Sequence, residues 1–140
     1  MNINSKDLVA AAESARLASY SPYSNFAVGA ALLCADGTVY KGCNIENASF
    51  TPTCCAERVA IFKAVSEGRR DFVAIAVVGG KVGESERGAC YPCGVCRQVL
   101  AEFCAPETPV FLGSSNGDVL TTSVGELLPY TFKLKVKEND

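Results

Sequence analysis

Three cysteines and a glutamate are the residues of this chain best suited to do chemistry. They fall in two short stretches, Cys55-Ala56-Glu57-Arg58 and Pro92-Cys93-Gly94-Val95-Cys96-Arg97-Gln98. Each stretch precedes an apolar run with helical spacing, so each would set its cysteines at a helix N-terminus. Cys93 and Cys96 stand at i and i+3, neighbours on one helical face. Cys55 would add a third sulfur from a separate helix, where the macrodipole and free N–H groups favour a thiolate. Three protein ligands with one open position is how a catalytic zinc is held, whereas a structural zinc has four. Glu57 is two residues from Cys55, so a regular helix would not aim both side chains at one ion. It could still reach a water there, which is the arrangement of a hydrolytic metal site.

The rest of the composition narrows that chemistry. The chain has 140 residues, enough for a single domain with a real core, and its 49% apolar and 20% charged content is that of a soluble globule. It contains no histidine, so a metal site must use sulfur or oxygen and no imidazole can serve as general base. A net charge of −2 argues against a nucleic-acid partner. With no signal-peptide pattern and no apolar run long enough for a bilayer, neither secretion nor a membrane is indicated, and the expected location is cytoplasmic. The chain has eight cysteines. Five of them (Cys34, Cys43, Cys54, Cys90 and Cys104) sit among apolar or small neighbours and read mostly as packing residues.

The elements that must position these residues follow from periodicity and turn signals. Residues 5 to about 19 read as an amphipathic helix with Leu8, Ala12, Ala15 and Ala18 on one stripe and Asn4 or Ser5 as cap. Residues 26–34 form an apolar strand in which Gly29 would let another backbone approach, and Asp36-Gly37 turns it into a return strand over 39–43. Residues 44–53 are irregular. A helix follows from about 54 or 55 to 67, with Val59, Ile61, Phe62 and Val65 apolar. Residues 72–78 form a central strand covered on both faces. A polar loop over 79–91 leads to a helix over about 93–104 that buries Val95, Val99, Leu100 and Phe103. Two short strands (109–112 and 119–122) and a helix opened by the Ser123–Glu126 capping box complete the order. Helices on a mixed five-stranded sheet, an α/β fold, are expected. One domain over 1–132 and a frayed tail over 133–140 are expected as well.

The wider sequence resembles a known family. Cys-Ala-Glu with a later Pro-Cys-x-x-Cys is similar to the zinc deaminases of nucleosides and nucleobases, which include an all-cysteine variant. Ser21-Pro22-Tyr23-Ser24-x-Phe26-x-Val28-Gly29-Ala30-Ala31, Gly42-Cys43-Asn44-Ile45-Glu46-Asn47-Ala48 and Glu126-Leu127-Leu128-Pro129 resemble the small homotetrameric cytidine deaminases. The resemblance runs in matching order over about residues 5–132.

It implies a three-layer α/β/α fold with one Zn2+ per chain on Cys55, Cys93 and Cys96, and Glu57 as proton shuttle. Asn44 and Glu46 would hydrogen-bond the ribose hydroxyls, Phe26 would lie against the pyrimidine, and the Ala56 N–H would meet the base carbonyl. Phe132 would reach a neighbouring subunit's site, as expected of a homotetramer. Arg58 would offset the charge of three thiolates, with Arg97 a second candidate. Phe50 stands where several relatives carry Tyr, and Tyr130-Thr131 replaces a more common small pair. The expected activity is hydrolytic deamination of cytidine and 2'-deoxycytidine to the uridine forms and ammonia, in pyrimidine salvage. The rivals are a deaminase of another aminopyrimidine, such as blasticidin S, and a zinc-stapled binding domain in which Cys54 or Cys90 is a fourth ligand.

Overall fold

In this computed structural model, which describes residues 3–134, the elements run α1 (Ser5–Arg16), β1 (Phe26–Cys34), β2 (Val39–Cys43), α2 (Ala56–Ser66), β3 (Phe72–Lys81), α3 (Gly94–Phe103), β4 (Pro109–Gly113), β5 (Val119–Ser123) and α4 (Val124–Leu127). The strands form one sheet in the order β2-β1-β3-β4-β5. Only β3 and β4 pair in parallel, so the sheet is mixed.

Period-two alternation along the central strands sets the layers. Ala30, Leu32, Ile75 and Val77 face one buried cluster, which they share with Ala60, Ile61 and Ala64 of α2, Leu100 and Ala101 of α3, and Val124 of α4. Ala31, Ala74, Ala76 and Val78 face the other, against Leu8 and Ala12 of α1. The fold is therefore three layers, α/β/α, with α1 alone on one face. Fully buried residues such as Leu32 and Ile75 each contribute about 1.5–3 kcal/mol by leaving water.

Two glycines let helices sit unusually close to the sheet. A Cβ on Gly29 would lie 2.0 Å from the Ala12 carbonyl oxygen of α1, and one on Gly42 would lie 2.4 Å from the Ala56 oxygen of α2. The second contact fixes the first turn of the helix that follows Cys55. It also explains why α2 buries small residues. Ala56, Ala60 and Ala64 face inward with Ile61, while Phe62, read from its periodicity as buried, is 46% exposed. In α3, Leu100 is buried and Val99 and Phe103 are partly buried, but Val95 is exposed, contrary to expectation.

Element boundaries differ from the sequence reading in two informative places. Helix α1 is capped by the Asn4 side chain and ends at Arg16, because Leu17, Ala18 and Ser19 donate to carbonyls three residues back, tightening the chain out of the α-helix. Strand β3 continues to Lys81, since Gly79 and Gly80 pair with Val28 and Ala27. The glycines make room there for the returning loop: a Cβ on Gly79 would meet Cys90 Sγ at 2.7 Å, and one on Gly80 would meet Arg87 Cγ at 2.4 Å. Among the described residues no helix is long and apolar enough to cross a membrane. Residues 135–140 of the expected tail lie outside the described residues.

Candidate active site

The topology brings two helix N-termini to one end of the sheet. Because β1 is antiparallel to both β2 and β3, its start at Phe26 lies beside the end of β3 at Lys81 and near the end of β2 at Cys43. From those ends the chain leads into α2 and α3. Ile45 forms isolated bridges to Tyr20 and Cys54, which pin the irregular segment just before Cys55. Cys55 and Cys93 are the N-caps of α2 and α3, and both have extended backbones and no side-chain capping bond. Their sulfurs are thus free for other partners at the positive ends of two helices.

The three expected ligands converge. The sulfurs of Cys55, Cys93 and Cys96 all lie within 4.8 Å of one another, and those of Cys55 and Cys93 are 3.8 Å apart. Sulfurs bound at ~2.3 Å in a tetrahedron would be separated by ~3.8 Å, so the donor set fits a zinc ion. Neither Cys54 nor Cys90 joins this cluster, which leaves three thiols, not four, among the described residues. Hydrogen bonding from the Cys96 thiol, with Arg58 and Cys93 adding to it, lowers the Cys55 pKa below the ordinary thiol range. The same contact, together with burial, pushes the Cys96 thiol up.

Arg58 lies against the sulfur cluster. Its Nη2 donates to Cys55 Sγ at 3.4 Å, and this contact holds its pKa above the ordinary range. Its Nε is buried and has no hydrogen-bond partner. Arg97 is the exception to the expectation. Its Nε and Nη1 donate to the carbonyls of Pro92 (2.7 Å) and Leu127 (2.9 Å), tying α3 to α4 and leaving this side chain no part in the sulfur cluster.

A cleft of about 250 Å³ opens over the sulfurs, lined by Phe26, Asn44, Glu46, Ala56 and Glu57 with Cys55 and Cys93. Glu57 is 3% exposed, and burial pushes its carboxyl above the usual range, with the Cys55 charge adding to this. Phe26 is 39% exposed, a large apolar face open to the cleft. Asn44 is more committed than the sequence suggests. Its Oδ1 accepts from Val28 N–H at 2.9 Å and from Ser19 Oγ, and its Nδ2 donates to the Phe26 carbonyl at 2.8 Å. One Nδ2 proton remains for a ligand.

Of the expected site residues, Cys96 and Arg58 belong to the sulfur cluster without lining this cleft, and Phe132 lies outside it. It is 68% exposed, and its carbonyl accepts from Gln98 Nε2 at 3.2 Å. Six lining residues had no place in the expected nucleoside site: Ser24, Val28, Thr53, Cys54, Cys90 and Tyr91. Cys90 carries a signal in its setting, because Gly79 opposite leaves the space it fills. A second, wider hollow of about 400 Å³ continues from Ser24, Glu46 and Thr53 to Tyr23 and Phe50, whose rings meet edge to face at 6.4 Å.

Five strands in this order, with helices on both faces and three convergent thiols at two helix N-termini, define an α/β protein built around a thiol cluster at one end of the sheet. Residues 3–112 match the family of the cytidine and deoxycytidylate deaminase zinc-binding region. Over 125 residues the chain is 53% identical to a cytidine deaminase of Sporosarcina psychrophila, covering 89% of this chain and 88% of the other. It is 54% identical to one of Halalkalibacterium halodurans, with 89% and 91% covered. The crystal structure of cytidine deaminase from Burkholderia pseudomallei superposes with a TM-score of 0.85 at 48% identity, covering 93% of this chain and 100% of that one. The chain belongs to the cytidine and deoxycytidylate deaminase family.

Proposed function

We propose that the chain hydrolyses cytidine and 2'-deoxycytidine to uridine and 2'-deoxyuridine with release of ammonia, serving pyrimidine salvage as a cytoplasmic homotetramer. The observation that carries this reading is the meeting of three sulfurs and the buried Glu57 in one cleft that also holds Phe26, Asn44 and Glu46. Cys55, Cys93 and Cys96 would hold one zinc per chain. When bound, the ion supplies a Lewis acid that lowers the pKa of water toward neutrality.

The remaining steps belong to the chain's own groups. Glu57 takes one proton from the attacking water and passes it to the ring nitrogen beside the amino-bearing carbon, then takes the second proton from the new hydroxyl and delivers it to the amine as the C–N bond breaks and the carbonyl forms. Water has then replaced the amino group, and the carboxylate is regenerated. Phe26 packs on the ring, and the Ala56 N–H at the start of α2 donates to the base carbonyl. Asn44 and Glu46 take the ribose hydroxyls. Phe132, exposed and outside its own cleft, is available to a neighbouring copy in the tetramer.

The sugar contacts give the test. Free cytosine leaves Asn44 and Glu46 without partners, so its kcat/KM should fall well below that of cytidine. Equal values for the two would contradict the assignment of these residues. Arg58→Ala should weaken zinc retention or activity by about 10–100-fold, because the thiolates lose their adjacent cation. Competition with a chromophoric chelator measures the first quantity directly. Wild-type affinity and rate in that variant would make Arg58 an ordinary helix residue.

A further inference from the structure

Glu46 does not stand alone in the cleft. Its Oε1 accepts two backbone N–H groups, from Tyr23 at 3.0 Å and Ser24 at 3.1 Å, and its Oε2 accepts the Ser24 hydroxyl. The same Ser24 Oγ accepts the Phe26 N–H at 3.0 Å. A directed chain therefore runs from the Phe26 amide through the Ser24 hydroxyl to Oε2. The turn that supplies these donors is itself anchored. Asn25 N–H closes onto the Ser21 carbonyl at 2.9 Å, Asn25 adopts a left-handed φ of 56°, and its carbonyl accepts Val82 N–H at 2.7 Å. Successive N–H groups aimed at one carboxylate form an anion-binding nest.

The count of acceptor positions decides what is left for a ligand. A carboxylate offers about four lone-pair sites. Two on Oε1 are used by amides and one on Oε2 by the hydroxyl, which leaves one free site, on Oε2. Ser24 and Glu46 both line the cleft. We propose that Ser24 is a positioning residue for the nucleoside, its hydroxyl turning Oε2 of Glu46 toward a hydroxyl at the 2' or 3' position of the sugar. This inference rests on the ribose assignment of Glu46 made above. The hydrogen bond from Ser24 is also the largest influence lowering the Glu46 pKa, which keeps an acceptor-only carboxylate in the cleft.

A turn-capping serine alone would support the loop without regard to the ligand, and the two roles separate by experiment. In Ser24→Ala the amide contacts to Oε1 remain but Oε2 loses its orientation. Competitive inhibition of cytidine turnover by uridine should weaken about 10-fold, toward the lower end for a hydrogen bond to a charged group, with kcat nearly unchanged. Inhibition by 2',3'-dideoxyuridine, which lacks the 2'- and 3'-hydroxyls, should change less than about 2-fold. Ser24→Thr should restore the uridine value, and zinc per chain should be the same in all variants. Equal weakening of both inhibitors, or no effect on uridine, overturns the proposal. Glu46→Ala measured alongside tells the two failures apart. If it selectively weakens uridine while Ser24→Ala does not, only the role of Ser24 fails. If it weakens both inhibitors alike, the ribose assignment fails and the proposal with it.

Discussion

Replacing Glu57 by Gln is expected to leave zinc content and nucleoside binding in place while lowering kcat by ~100-fold or more, the usual size of a general acid–base contribution. The amide keeps the shape of the side chain but cannot take a proton from water. The site makes substitution by another base implausible. Histidine is absent from the chain, and the other carboxylate of the cleft, Glu46, is already engaged by Tyr23 and Ser24. Single-turnover measurements separate binding from chemistry. Near-normal turnover in Glu57→Gln would move the proton carrier elsewhere.

Removing a ligand sulfur should have a still larger effect. Cys55→Ala leaves only the two sulfurs of the α3 end, Cys93 and Cys96, and both zinc and activity should be lost; Cys93→Ala and Cys96→Ala should do the same. Cys34→Ala and Cys104→Ala are the matched controls. Both residues are buried in the cluster beneath α2 and α3, far from any metal role by composition of their surroundings. Each should lower stability by about 1 kcal/mol, as for a small core deletion, and keep its zinc. Elemental analysis of the five purified variants reads the outcome. Stoichiometric zinc in Cys55→Ala would refute a three-cysteine site.

The parts legible in the sequence are those written in short-range spacing. Cys93-x-x-Cys96 and Cys55-x-Glu57 at two predicted helix starts suffice to anticipate a site between α2 and α3, because a helix start fixes where its cap and first turn point. The apolar run of β3 likewise marks a strand covered on both faces, as its central place in the sheet requires. What depends on a partner distant in the chain was not legible. Phe62 looks inward by periodicity, yet Gly42 brings α2 so close to the sheet that its alanines and Ile61 fill that face. Gly79 and Gly80 read as loop but are strand, paired with Val28 and Ala27. Ser24 is visible only as part of a turn, since its contact to Glu46 spans 22 residues. Arg58 and Arg97 look alike in sequence, each following a cysteine unit at a helix start. Only the packing of α4 shows that Arg97 is taken by the Leu127 carbonyl.

The central claim is that the three sulfurs and Glu57 form a cytidine-hydrolysing centre. Its most direct test is to incubate the purified, zinc-quantified protein with cytidine and measure uridine and ammonia together. One zinc per chain is expected, with equal amounts of uridine and ammonia appearing as the cytidine absorbance falls. One zinc per chain with cytidine left intact would contradict it.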